Sequence, residues 1–545
     1  MKSWQTKTEL TELLYSLVNH QSITGTKAEI ALAEYLHHLL AQKEYFQTNP
    51  AYLNLHPLDD GRRLLTALVK GKEDRKETVI LLSHFDVVGT EDYGSIQNLA
   101  FHPKELTRKM HTIKDELPKA VQEDLENGDW LFGRGTMDMK AGLAIHLSMI
   151  EKAIDGEFDG NILLVTVPDE EVNSKGMLTA LPVLNQLRKE ENLIYSACMN
   201  GEPMFSKYPG DTNHYVYTGS IGKVLPGFYC YGKESHVGEP FAGINPNLMV
   251  SFLSQKLELN ESFIEKIDDE VTPPPVSLMQ RDLKEEYSVQ TPGAAIAMYN
   301  VLYLKQSFKE INQKLLAGAQ TAAQEIEAYI QQKAAKFAAV SEKFTIPDST
   351  VNVFMYEELY AEAVKRYGEA EIIRRQNLLV SQRKQGDRDF SSLLVQDLAS
   401  ICKELSPMIV LFYSPPFYPA VSSHDEPIIK KVMKYVKEYT KVNFAIDLTV
   451  SEFFTGLSDL SYVGPVSSNS KLKQLTINMP LQNKGFVFPD DIMNQLTMPV
   501  LNIGPLGKDP HQWTERLEVT YSFDYLPSVI TEAIHQLLKT KEPRS

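Results

Sequence analysis

The stretch GRGTMDMKAG, residues 133–142, decides how this chain is read. At its centre, Asp138 follows two glycines and precedes a helical pattern, where aspartate ordinarily caps a helix. Its carboxylate also has two oxygens and can bridge two cations. The stretch lacks the GK[ST] ending of a phosphate loop, and an acidic residue there repels phosphate.

Working outward, other acids and imidazoles stand at the ends of apolar runs. TVILLS (78–83) is a continuous apolar run of the kind buried in a parallel sheet, and it delivers His84 and Asp86. NILLVTV (161–167) ends at Pro168-Asp169-Glu170-Glu171, and SACM (196–199) ends at Asn200-Gly-Glu202-Pro203. PVLNI (499–503) leads through a Gly-Pro turn to His511. Helical spacing separates these runs at 139–154 and 175–189. Strand, loop and helix alternate, which predicts an α/β sheet. Ligands of such sheets sit outside the carboxyl ends of the strands, where these groups lie.

Each residue also has an ordinary reading. A histidine after a strand is most often a satisfied core or surface residue. The HxD spacing puts Asp86 on the same side as His84, where it can orient the imidazole through its other nitrogen. An Asp-Glu-Glu run is usually a solvated turn, yet the strand before it is too apolar to be exposed. Neighbouring glutamates point in different directions, so one can bind metal while the other acts as a base. His511 and His236 read by default as loop histidines. His424-Asp425-Glu426 reads as a capping segment, and Arg383–Arg388 as a solvated basic loop.

With 545 residues, two or more domains are expected. Strands at 215–218 and 224–231 read as a pair, followed by a helix at 244–258, a Pro-rich connector at 271–276, a strand at 295–304 and a long helix at 307–337. These predict a second α+β domain, 212–355, inserted into the first. Strand patterns at 408–413, 446–450 and 499–503 read as the first domain resuming. Its parts are then 1–211 and 356–545, with 356–406 helical.

The net charge of −16 argues against a nucleic-acid partner. Three scattered cysteines support neither a disulfide framework nor a thiolate metal site. Neither a signal peptide nor a membrane-length apolar run is read, so a cytoplasmic protein is expected.

SHFDVV, GRGTMDMKAG, PDEEVNSKGM, NGEP and GPLGKDPH together resemble the zinc-dependent aminoacylase and carboxypeptidase G family. That family includes acetylornithine deacetylase, succinyl-diaminopimelate desuccinylase and bacterial dipeptidases. Within it, the enlarged middle region is similar to that of a bacterial arginine-utilisation branch. The resemblance implies a split catalytic domain with a mixed, largely parallel sheet, plus an inserted lid or dimerisation-type domain. It implies two Zn2+, with Co2+ or Mn2+ as alternatives. His84, Asp138 and Glu202 would bind one ion; Asp138, Glu171 and His511 would bind the other. Glu170 would be the general base acting on a hydroxide shared by the ions, and Asp86 would orient His84. GKESHVGEPFAGINP is similar to the family's lid motif, in which His236 would help bind the substrate oxyanion. The family often has a cis peptide after the bridging aspartate, here Asp138–Met139.

Two departures matter. The family's lid commonly offers an arginine to the substrate carboxylate, and the strand 298–304 has none. The separation of Glu202 from His511 is longer than in typical members, so monomer and homodimer both stay open. The expected activity is removal of an acyl group from an N-acyl amino acid related to arginine or ornithine. A dipeptidase or carboxypeptidase acting on a short peptide is the alternative within the class. A non-catalytic binder of metal or amino acid is the alternative outside it.

Overall fold

In the computed structural model, residues 3–72, 75–208, 210–341, 344–346, 350–466 and 472–539 are described. The chain divides into two compact units, one of residues 1–221, 421–466 and 491–545, the other of 222–420 and 467–490.

The first unit is built on an eight-stranded sheet. Its order is Leu53–Pro57, Arg63–Val69, Asn161–Val167, Glu77–His84, Ile194–Asn200, Val500–Asn502, His214–Tyr217 and Leu448–Ser451. The three central strands, 161–167, 77–84 and 194–200, run parallel, and 500–502 joins them in the same direction. Strands 53–57 and 63–69 add an antiparallel edge. Every side chain of Asn161–Val167 is buried, which explains its unbroken apolar run. The helix Ala141–Ile154 is buried around nearly its whole circumference, so it too reads as apolar on all sides. The N-terminal helix Lys7–Asn19 starts at a Thr6–Glu9 capping box and buries Leu10, Leu13, Leu14 and Leu17, the stripe its spacing predicts.

The second unit centres on a five-stranded sheet ordered Val276–Asp282, Ala294–Tyr303, Gly222–Tyr231, Met408–Tyr418 and Asn352–Met355. Helices Pro246–Leu257 and Phe308–Ala338 pack on one face, where Ser254 Oγ meets Tyr299 Oη at 2.9 Å. Helices Tyr356–Tyr367 and Asp387–Ile401 cover the other. There Tyr229, Ile296, Met298 and Phe412 form a core with Tyr356, Leu359, Val395 and Leu398.

Three boundaries therefore differ from the reading above. Residues 214–217 pair with 448–451 and 500–502 in the first unit's sheet, not with 222–231. Residues 408–418 pair with 222–231 instead of resuming the first sheet. The helical segment 356–406 belongs with the inserted unit, because its apolar faces cover that unit's sheet. The two strand misses have one cause: a local apolar run specifies a strand but not the sheet it joins.

Close backbone approaches fix the strand ends. A Cβ on Gly504 would lie 1.8 Å from the Glu202 carbonyl oxygen, and one on Gly142 would lie 2.1 Å from that of Gly201. Neither neighbour is a flexible side chain that can swing away. Gly504→Ala should therefore lower unfolding free energy by about 1–3 kcal/mol, the usual overpacking range. Chemical denaturation measures this, and an unchanged midpoint would contradict it.

Candidate metal centre

Three neighbouring parallel strands deliver four of the candidate groups at their carboxyl ends. His84 is the last residue of Glu77–His84, Glu170 and Glu171 follow Asn161–Val167, and Glu202 follows Ile194–Asn200. Asp138 arrives on the turn between strand Trp130–Phe132 and helix Ala141–Ile154. Gly135 in that turn has φ +76°, and the Asp138–Met139 peptide is cis. His511 comes from the turn between the short antiparallel strands Gly507–Lys508 and Arg516–Glu518, which follow Val500–Asn502.

The groups converge on Asp138. Its Oδ1 lies 3.3 Å from His84 Nε2 and its Oδ2 lies 3.3 Å from His511 Nε2. His84 Nε2 is also 3.4 Å from Glu202 Oε1 and 3.9 Å from Glu170 Oε2. His511 Nε2 is 3.1 Å from Glu171 Oε2. His84, Asp138 and Glu171 can each offer a ligand atom within 4.8 Å of one another, as can His84, Glu170 and Glu202. The His84 side chain is only 2% exposed while that of His511 is 48% exposed, so the cluster opens on the His511 side.

These separations fit a pair of divalent ions. Two ligands each about 2.0 Å from one ion at a tetrahedral angle are about 3.3 Å apart. The charge balance fits as well. Asp138, Glu170, Glu171 and Glu202 crowd around two imidazoles, and buried like charges need compensation. Mixed imidazole and carboxylate donors suit zinc, cobalt or manganese.

In the ion-free protein, protons supply part of that compensation. Burial works to lower the pKa of His511, but Asp138 and Glu171 outweigh it and push it up to about 11. For His84 burial is likewise overcome, by Glu202, Asp138 and Asp86, and its pKa rises well above the ordinary value. Burial and neighbouring carboxylates raise Glu170 and Glu202. Burial also works to raise Asp138, but hydrogen bonds from His511 and His84 hold it below the usual carboxylate range.

Asp86 has more tasks than its spacing suggests. Its main-chain carbonyl, 3.1 Å from His84 Nδ1, is the closer partner of the ring, with its carboxylate Oδ1 at 3.5 Å. The carboxylate accepts the Glu170 N–H at 3.1 Å, the Glu171 N–H at 3.2 Å and the Thr24 hydroxyl at 2.8 Å. It thus ties the histidine strand to the glutamate turn. Two further contacts brace the Asp138 turn. Lys140 Nζ donates to the Leu17 and His20 carbonyls at the end of the N-terminal helix. Arg134 Nη1 donates to Glu515 Oε2 at 2.7 Å, holding the His511 loop.

His236 lies in the second unit on an exposed turn, where its Nδ1 accepts the Gly238 N–H at 3.1 Å. His424-Asp425-Glu426 precedes the helix Pro427–Phe444, but Glu426 at its N-cap makes no side-chain capping bond. Asp459 was not singled out from the sequence. It is buried, burial pushes its carboxyl up to about 7, and its charge helps raise Glu170 and Glu202. The available signal was an acid among the apolar residues of TGLSDLSYV (455–463).

Residues 80–470 match the model of Peptidase family M20/M25/M40. The chain belongs to this family. Membership places it in a family of metal-dependent peptidases and deacylases. The chain is 53% identical over 541 residues to Uncharacterized protein YqjN of Bacillus subtilis (strain 168), covering 99% of this chain and 98% of that one. It is 30% identical over 554 residues to Protein RocB of the same organism, covering 98% and 96%. Its fold is similar to that of a tripeptidase from Staphylococcus aureus, with a TM-score of 0.52, 13% identity and coverage of 99% and 100%. No helix among the described residues is long and apolar enough to cross a membrane.

Imidazoles must lose their protons to bind metal. Loading this M20 protein with zinc at pH 7 should therefore release more than one proton per chain, and binding should weaken as pH falls. Calorimetry in two buffers of different ionisation enthalpy measures the count. Zinc uptake without proton release would remove His84 and His511 from the ligand set.

Proposed function

We propose that this chain hydrolyses the amide bond of an N-acyl amino acid, with arginine or ornithine as the amino acid released. The observation that carries the proposal is the placement of one Asp138 oxygen against each of two imidazoles, with Glu170 beside them. In this reading His84, Asp138 and Glu202 hold one ion, and Asp138, Glu171 and His511 hold the other. When bound, such a pair of ions polarises the scissile carbonyl and lowers the pKa of water.

The protein's own groups do the remaining work. Glu170 takes a proton from the attacking water as its oxygen bonds to the acyl carbon. The carbon–nitrogen bond then breaks, and Glu170 returns the proton to the leaving amine. The products are a carboxylic acid and a free amino acid. Asp86 keeps His84 in one orientation through the ring's other nitrogen. The lid motif gives His236 the role of donor to the substrate oxyanion. The arginine or ornithine assignment is supported by the enlarged middle region and by 30% identity across 96% of RocB.

Zinc-loaded protein should release amino acid from N-acetyl or N-succinyl derivatives of arginine and ornithine faster than from those of glutamate or from dipeptides. Turnover of dipeptides alone would make the chain a peptidase. No turnover of either class with two ions bound would make it a binder. Glu170→Gln should still bind two ions per chain and lose about 10²–10⁴-fold in kcat. Near-normal turnover in that variant would remove Glu170 from the base role.

A further inference from the structure

The turn that carries Glu170 and Glu171 is held from beneath by a buried ionic cluster. Its first residue, Asp169, has φ +69°, a left-handed conformation that non-glycine residues rarely adopt. Every polar group of Asp169 is engaged. Its N–H donates to Glu29 Oε1 at 3.1 Å. Its Oδ1 accepts Arg62 Nη1 at 2.7 Å, and its Oδ2 accepts the Lys175 N–H at 3.1 Å. Its carbonyl accepts the Asn173 and Ser174 N–H groups at 3.2 and 2.7 Å.

Arg62 and Glu29 come from distant parts of the sequence. Glu29 lies on the buried face of the helix Lys27–Ala41, and Arg62 stands just before the strand Arg63–Val69. Both are buried. Arg62 Nη1 also donates to Glu29 Oε2 at 3.1 Å, while its Nη2 donates to Asp60 at 2.7 Å. Glu29 Oε2 accepts the Gly25 N–H at 2.6 Å, one residue from the Thr24 that grips Asp86. Two anchors therefore act on one turn: Asp86 holds the Glu170 and Glu171 N–H groups, and the Arg62–Glu29 pair holds the residue before them.

We propose that Arg62 and Glu29 are positioning residues that fix the Asp169 turn, so that Glu171 points to its ion and Glu170 to the substrate. The proposal rests on the roles given above to these two glutamates. Without the guanidinium, the carboxylates of Glu29 and Asp169 face each other buried and uncompensated. The turn then has reason to rotate, and both glutamates rotate with it.

Cobalt(II) is the probe, followed by titration and by the visible absorption of the bound ion. The wild type should take up two Co2+ per chain. Folded Arg62→Met should bind one of its two Co2+ at least tenfold less tightly, with altered cobalt bands and the other Co2+ little affected. Arg62→Lys, which restores one donor but not the fork, should recover part of that loss. Arg63→Gln, at an exposed pair with Glu34, should change nothing. If Arg62→Met does not fold, Glu29→Gln carries the test with the same readouts and direction. A folded variant with both cobalt affinities within twofold of wild type and unchanged bands overturns the proposal, even if its melting temperature falls. Failure of the base assignment reads differently: Glu170→Gln would keep its turnover while the Arg62 titrations stand.

Discussion

The carboxylate of Asp138 is shared between two imidazoles that come from opposite ends of the sequence, and the first unit is arranged around that sharing. His84 reaches it from a central strand, and His511 reaches it from the loop after a strand added late in the chain. The turn bearing Asp138 is bound to the N-terminal helix by Lys140 and to the His511 loop by Arg134 and Glu515. So many acids gathered in a buried place repel one another. They can coexist only with protons or metal ions between them. The fold does not relieve that repulsion; it holds the groups against it.

Much of the candidate cluster was legible because His84, Glu170, Glu171 and Glu202 end runs too apolar to be exposed. Parallel strands carry such runs to one edge of a sheet, so position in sequence translated into position in space. Asp86 was half legible. Its spacing put it beside His84, but its bonds to the Glu170 and Glu171 N–H groups join two strands that no local pattern relates. Glu29 left a fainter trace. It is an acid on the buried face of a helix, in line with Leu32, Ala33 and Leu36. Arg62 left none, since Glu29 and Asp169 are brought to it by the tertiary fold alone.

The sheet assignments of 214–217 and 408–418 failed for a related reason. Both segments are strands, as their composition indicates, and β-propensity describes fit to a pleated surface without naming the neighbour. The eleven residues Met408–Tyr418 are all buried. That pattern is usual for a strand at the centre of a parallel sheet, so it suggested the wrong unit. Here the strand is buried because helices cover both faces of a mostly antiparallel sheet.

That double cover limits how the inserted unit can vary among related chains. Tyr229, Ile296, Met298 and Phe412 are apolar only because the helices Tyr356–Tyr367 and Asp387–Ile401 lie over them. A relative lacking those helices would have to carry hydrophilic side chains at the four matching places or find another cover for them. The length of the insert and the chemistry of that sheet face should therefore change together through evolution, and shortening one without the other would leave a sticky surface.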